Sequence, residues 1–226
     1  MANSKTGFGD PKQLISFAEQ FLSGQTGRLR KDIAACITPG VPGGKPAYFP
    51  ALMTLVGFIE MLGCLYEGNL CGRKKIFLQY AKKYMWLEKE VTEYEEALDI
   101  LYETLRHKVA HLSHPYYVTR FPDPDKQKKG NSKKLNKDPK RITWEVGFYE
   151  DRLQTLTLIP TGKEKLSIPA PGLPWDVYYD HLLRVDITSF ANHAVASVSR
   201  YFDDLKRERI LQEKFEKCMQ TYYPKE

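Results

Sequence analysis

Three of the five histidines, His107, His111 and His114, fall within eight residues, and Arg106 immediately precedes the first of them. Histidine is the side chain whose unperturbed pKa permits proton transfer near neutral pH. Arginine offers a rigid positive fork for a phosphate, or for the charge that develops on a pentavalent phosphorus. Together they could promote attack of an RNA 2′-hydroxyl on its adjacent phosphodiester without a metal ion. A metal site is the rival chemistry: His107 and His111 stand at i and i+4, with Glu103 one turn earlier. These three positions span about 12 Å of helix, too far for one ion to bind all of them well. The chain also offers no HExxH and no thiolate cluster, so no metal ligands are assigned. Without a Gly-rich phosphate loop, Walker motif or Rossmann fingerprint, no nucleotide cofactor is expected.

A helix must position these groups. Thr92-Glu93-Tyr94-Glu95 fits a capping box, in which the Thr hydroxyl and a Glu carboxylate each satisfy an orphan backbone donor. The helix should run to about Ser113, because His114-Pro115 disfavours continuation. With Leu98 set to zero on a helical wheel, Tyr94, Leu101, Leu105, Val109 and Leu112 cluster beside it as a core stripe. Arg106 then lies near 80°, Glu103 near 140°, His107 near 180° and His111 near 220°, at about 100° per residue. The guanidinium and both imidazoles thus point away from the stripe, toward solvent, another element or another subunit. Arg106 and His111 are about 140° apart on this count. A cleft shared across a two-fold dimer would let one phosphate reach both.

The segment Arg106-His107-Lys108-Val109-Ala110-His111 resembles the Arg-polar-x3-His motif of HEPN domains, placed late in a helix as in that family. The resemblance implies a helical bundle with metal-independent endoribonuclease activity and two motifs of a homodimer forming one active site. It makes His111 the proton-transfer residue, Arg106 the transition-state stabiliser and His107 an orienting or phosphate-contacting group; Glu103, one turn before His107, is a supporting candidate from its position alone. Products would carry a 2′,3′-cyclic phosphate and a 5′-hydroxyl. The family's defence and toxin–antitoxin settings bring a regulatory protein partner into view. The alternative is a non-catalytic helical module that binds RNA or a protein partner, in which Glu103, Arg106 and His107 make ordinary surface pairs.

The formal net charge of +6 is unevenly spread. Lys126, Lys128, Lys129, Lys133, Lys134, Lys137, Lys140 and Arg141 are offset only by Asp138, so residues 126–141 carry +7 and the remainder −1. This run is a candidate RNA-binding segment, because Lys and Arg contacts to phosphate give sequence-independent, salt-dependent affinity. Tyr116, Tyr117, Trp144 and Tyr149 lie near enough to stack on bases. The four cysteines, Cys36, Cys64, Cys71 and Cys218, show no CxxC spacing, which suits free thiols in a reducing compartment. Residues 1–10 show no apolar signal segment, and the expected location is the cytoplasm. Phe49 to Tyr66 is apolar but only about 18 residues long and contains Glu60, so it reads as a buried core helix rather than a membrane span.

The rest of the chain supplies the frame. Asp10-Pro11 reads as an N-cap with proline at the first helical position. Glu67-Gly68-Asn69 stops the apolar helix, and a basic amphipathic helix follows over about 72–84. After Pro115 the period changes to two, predicting strands over 116–121, 142–148, 153–159 and 166–168. The lysine run lies in the connection between the first two. Pro169 to Pro174 closes this section, and helical spacing resumes from Asp176 through Leu183, Ile187, Phe190, Ala194, Val198, Tyr201 and Leu205. The fold expected is mainly α: one HEPN-like bundle with a helical core over about 10–114 and 175–222, and a small antiparallel β insertion over about 115–169.

Overall fold

The structure is a computed structural model and describes residues 8, 10–38, 40, 44, 46–86, 88–105, 118–120, 140–147, 155–161, 166–169 and 176–224. Among these, the helices are α1 (Pro11–Ile37), α2 (Tyr48–Glu67), α3 (Lys74–Tyr84), α4 (Glu88–Glu103), α5 (Ile187–Arg207) and α6 (Arg209–Tyr222). The strands are β1 (Val118–Arg120), β2 (Lys140–Gly147), β3 (Leu156–Pro160), β4 (Leu166–Pro169), β5 (Asp176–Tyr179) and β6 (His181–Asp186). The molecule is mainly helical with a small β portion. It divides into two compact units, one formed by Met1–Glu95 with Ile187–Glu226 and the other by Glu96–Asp186.

The helical unit is organised around α2, which packs on α1, α3, α5 and α6. The run Tyr48–Glu67 is long and apolar enough to cross a membrane by length and composition, and 56% of its apolar window is buried within the fold. Ala51, Leu52, Leu55, Ile59 and Leu62 are fully enclosed. Gly68 ends the helix in the left-handed region at φ 73°, where a side chain would be strained. The N–H groups of Gly68 and Asn69 both donate to the Cys64 carbonyl, satisfying an orphan acceptor of the last turn. At the start of α1, the Asp10 carboxylate accepts from the Lys12 N–H at 2.9 Å with Pro11 behind it, as the sequence predicts.

Tyrosines tie α3 to α5. The Tyr80 and Ser197 hydroxyls are 3.0 Å apart, the Tyr84 hydroxyl donates to Asp204 at 3.0 Å, and Arg200 donates to the Tyr84 carbonyl at 2.8 Å. The Tyr201 ring meets those of Tyr80 and Tyr84 edge-on at 5.9 and 5.6 Å between centroids. Such tilted and edge-to-face pairs place positive ring edges on negative faces.

In the second unit, four strands form a mixed sheet in the order β1-β2-β6-β3, and β4 pairs with β5 in a separate hairpin. Register places Ile142, Trp144 and Val146 of β2 opposite His181, Leu183 and Val185 of β6 on one face. Leu156 and Leu158 of β3 continue that face, and Ile142, Leu156, Leu183 and Val185 on it are buried. The other face carries Arg141, Glu145, Thr157 and Arg184.

Four expectations are corrected. The β section is mixed rather than antiparallel, because β2 and β6 run parallel. It also continues past Pro169, since residues 176–179 and 181–186 are strands and helix resumes only at Ile187. The helical reading of 176–186 took Leu183 with Ile187 as an i, i+4 pair, yet burial of Leu183 and Val185 between less buried neighbours has the period-two signature of a strand. Third, α4 begins at Glu88, so Thr92 lies inside the helix and the Thr92–Glu95 capping box does not form. Glu95 instead pairs with Lys82 of α3. The later helical stretch is also divided at Glu208, where the Gln212 side chain bridges back to the Leu205 carbonyl at 3.0 Å.

Candidate functional site

Of the stripe expected to orient the arginine–histidine pair, Tyr94, Leu98 and Leu101 lie in α4 and Leu105 just beyond it, while Val109 and Leu112 lie outside the described residues. Tyr94, Leu98, Leu101 and Leu105 are all buried, the last three at 0% exposure. Burial extends further round than the stripe alone, taking in Ala97, Ile100, Tyr102 and Thr104. What remains outside is a narrow acidic arc: Glu95 and Glu96 are exposed, Asp99 and Glu103 half-buried. On the same rotation of about 100° per residue this arc covers roughly 60° to 160°. The opposite side, near Ile100 and Thr104, is closed.

Glu103, the supporting residue, therefore sits at the last position of the acidic arc, half-buried and engaged with a partner. The next two residues, Thr104 and Leu105, have π-type backbone, with the Thr104 hydroxyl donating back to the Ile100 carbonyl at 2.7 Å. A π-type turn interrupts the constant helical rotation. Arg106, His107 and His111 lie outside the described residues, as do Lys128, Lys129, Lys133, Lys134 and Lys137.

The ends of the basic run are placed. β1 and β2 are antiparallel neighbours in which Arg120 opposes Lys140, Thr119 opposes Arg141 and Val118 opposes Ile142. The lysine-rich connection thus leaves and re-enters the sheet at adjacent ladder positions. Arg141 is exposed. Its backbone is held by Asp180, whose carboxylate accepts from the Arg141 N–H at 2.9 Å while the Asp180 N–H donates to the Arg141 carbonyl at 2.8 Å. Thr161 then clamps the same turn, its N–H donating to the Asp180 carbonyl at 3.0 Å and its hydroxyl to that of Tyr179 at 2.8 Å. The sequence offers no local cue for Asp180, because its partner is 39 residues away and is brought near only by the parallel pairing. Trp144 is half-buried on the apolar face opposite Leu183, a packing position. Tyr116, Tyr117 and Tyr149 lie outside the described residues.

Elsewhere, the ionisable groups nearest the core are held neutral. Burial pushes the Tyr80, Tyr84 and Tyr201 hydroxyls well above the usual tyrosine range, with Asp204 adding to the effect at Tyr84. Burial is also the main cause that raises the Cys64 and Cys218 thiols to about 11, and Glu60 raises Cys64 further. Glu60 lies over Gly72, where a Cβ would collide with its carboxylate. These groups brace the helical unit and do not constitute a nucleophile or a base. No family model matches the chain, and neither does any curated protein sequence or solved structure.

Proposed function

We propose that this chain is a metal-independent endoribonuclease of the HEPN type, acting in the cytoplasm as a homodimer. His111 serves as the proton-transfer residue, Arg106 as the transition-state stabiliser and His107 as the group that orients the site. The observation that supports this reading is α4 with the turn that follows it: Leu98 and Leu101 of the helix and Leu105 just past its end are fully buried, and the helix ends at Glu103, three residues before Arg106. In the reaction, the imidazole of His111 accepts the proton of a 2′-hydroxyl as its oxygen attacks the adjacent phosphorus. The Arg106 guanidinium offsets the charge gathering on the phosphoryl oxygens. The 5′-oxygen leaves with a proton, so the products carry a 2′,3′-cyclic phosphate and a 5′-hydroxyl.

A second reading is favoured by the burial of α4, over its described side chains from Tyr94 on, around most of its circumference, which is the mark of a core helix rather than a presented face. On that reading the chain is a non-catalytic module that binds RNA or a protein. Incubation of a mixed-sequence RNA in EDTA with wild type, His111→Ala and Arg106→Ala separates the two. The nuclease reading expects rate losses of about 10²-fold or more in both variants, the range for removing a general base or a charge-stabilising donor, with cyclic-phosphate ends on wild-type products. Absence of cleavage by folded wild type across several RNAs leaves the binding module standing.

A further inference from the structure

Three of the four cysteines stand around the last turn of α2. Cys64 lies in that turn, Cys71 on the chain that leaves it, and Cys218 on α6. Position along the helix sets their order. Glu60, Cys64 and Gly68 are four residues apart, so their faces advance by about 40° at each step, at about 100° per residue. The Glu60 carboxylate fills the place that a Cβ on Gly72 would take, next to Cys71. At the other end of the arc, a Cβ on Gly68 would stand 2.9 Å from the Cα of Lys214, so the backbones of α2 and α6 meet there. Cys64 lies between these two contacts.

Cys218 is one turn along α6 from Lys214, and its thiol donates to the Cys64 carbonyl at 3.7 Å. The pairs Gly68–Lys214 and Cys64–Cys218 thus make α2 and α6 antiparallel neighbours. A disulfide requires Cα atoms within about 7 Å of each other, a condition that backbone contact one turn away brings within reach. On the other side, the Cys71 N–H donates to the Asn69 side chain at 3.0 Å, and the Asn69 N–H donates to the Cys64 carbonyl at 3.1 Å. The chain therefore folds back across the end of the helix. The thiols influence one another in the same order: behind burial as the main cause, Cys71 adds to the upward shift of Cys64, and Cys64 to that of Cys218.

Access separates the three. Cys71 is exposed, while Cys64 and Cys218 are only 5% and 1% exposed. Buried thiols held above their usual range present little thiolate to an oxidant in solution. A disulfide already attached to a neighbouring sulfur needs no such entry. We propose that Cys71, Cys64 and Cys218 form a thiol relay that takes oxidation from a small disulfide at the surface and stores it as a Cys64–Cys218 bond between α2 and α6. The Cys71 thiolate attacks one sulfur of glutathione disulfide, and one glutathione leaves. Cys64 then attacks the Cys71 sulfur, releasing the second glutathione, and Cys218 attacks the Cys64 sulfur, returning Cys71 to its thiol. Each exchange makes one S–S bond and breaks another. In sum, two protein thiols lose two electrons and two protons, and one glutathione disulfide becomes two glutathiones. The new bond closes a loop of more than half the chain, and a long closed loop constrains the unfolded state most. The relay is independent of the ribonuclease reading, since all three cysteines belong to the helical unit.

The test is incubation of folded full-length protein with glutathione disulfide at about pH 8, where exposed thiols are partly ionised. An acid quench, alkylation in denaturant and mass spectrometry of a non-reducing digest then map the bonds. Wild type should yield the Cys64–Cys218 link with Cys71 alkylated, and its urea midpoint should rise, then return to the starting value after dithiothreitol. Cys71→Ser, an exposed change, should slow formation of the link about tenfold or more, since access governs exchange. Cys218→Ala should stop one step earlier, at a Cys64–Cys71 bond. Iodoacetamide, which cannot pass from sulfur to sulfur, should stop at Cys71 in the folded wild type. Glutathione left on Cys71, with Cys64 and Cys218 still open to alkylation in denaturant, overturns the relay. So does a Cys71→Ser protein that forms the link at the wild-type rate, or a wild-type link that includes Cys36. Mapping of the wild type involves no substitution, so it decides the matter even if a buried cysteine variant does not fold.

Discussion

In the helical unit a cation near the core is met by a carboxylate, whereas the register at the base of the β1–β2 hairpin, the stem, puts two basic residues, Arg120 and Lys140, at opposed positions. Lys83 shows the first pattern fully: its ammonium lies 3.4 Å from Asp204 and over the rings of Tyr66 and Tyr84, at 5.4 and 5.0 Å from their centroids. The sheet can achieve the same, since Arg184 and Glu145 are paired at 3.1 Å on opposed positions of β6 and β2. Opposite charges thus occupy one end of β2 and like charges the other, on the same strand. The difference teaches that the stem's arrangement is no general property of this sheet.

The largest effect that sharpens this contrast is one of stability. Leu55 is at 0% exposure on the central helix α2. Leu55→Ala should cost about 2–5 kcal/mol, the range for removing a buried leucine and leaving a cavity. The stem variant Arg120→Gln/Lys140→Gln/Arg141→Gln should instead leave stability unchanged or slightly raised, because its register sets like charges at opposed ladder positions, an arrangement that costs about a few tenths of a kcal/mol. Urea unfolding of both proteins measures this. A stem variant as damaged as Leu55→Ala would show that those charges hold the fold together, and the contrast between the two units would collapse.

The next effect is a response to alkali expected of the helical unit, which contains all four cysteines. Folding raises the Cys64 and Cys218 thiols from 9.0 to about 11. Above the unfolded value the unfolded chain releases protons that the folded chain keeps, so stability must fall as pH rises from about 9 toward 11. Below about pH 9 both states hold the protons, and the contribution is fully present. Unfolding midpoints should be level from about pH 7.5 to 8.5 and decline from about 9 upward, more gently in Cys64→Ala/Cys218→Ala. A native thiol titration should modify exposed Cys71 at once and reach Cys64 and Cys218 only after unfolding. A flat stability profile, or early modification of the buried pair, would contradict this account.

Much of the helical unit was legible because its signals are local. The Asp10-Pro11 cap and the Gly68 stop each depend on residues within a turn or two of one another, as do the buried positions of α4 that fall in the second unit. What escaped was set by distant partners. Thr92 looks like a cap in isolation, but the helix gains a turn before it and Glu95 is drawn to Lys82 instead. Leu183 fits a helical wheel with Ile187, but β6 is claimed by β2 and β3 on either side. Long-range pairing of this kind overrides local period, and the parallel alignment of β2 with β6 leaves no signature near either strand. For the candidate site, the helix leading to Arg106 was readable, whereas the π-type turn at Thr104 and Leu105 was not. Neither was Asp180, whose only cue is the partner it finds.

The smallest effect concerns two tyrosines that look alike in sequence and differ in their bonding. Tyr80 and Tyr201 are both fully buried, with ring centroids 5.9 Å apart. The Tyr80 hydroxyl is bonded to Ser197, while that of Tyr201 has no hydrogen-bond partner among the described residues. A buried hydroxyl that is bonded contributes about 0.5–1.5 kcal/mol net, and one left without a partner costs the desolvation it has suffered. Tyr80→Phe should therefore lower stability by about 1 kcal/mol. The loss is limited because Ser197 keeps its bond to the Ala194 carbonyl at 2.6 Å. Tyr201→Phe should be neutral or stabilising, since the ring packing survives and an unsatisfied oxygen is removed. Urea unfolding of the two variants side by side measures the sign directly. A loss at Tyr201→Phe equal to that at Tyr80→Phe would mean that the Tyr201 hydroxyl is bonded in solution, by an ordered water or by a residue beyond those described, and that the helical unit is satisfied throughout.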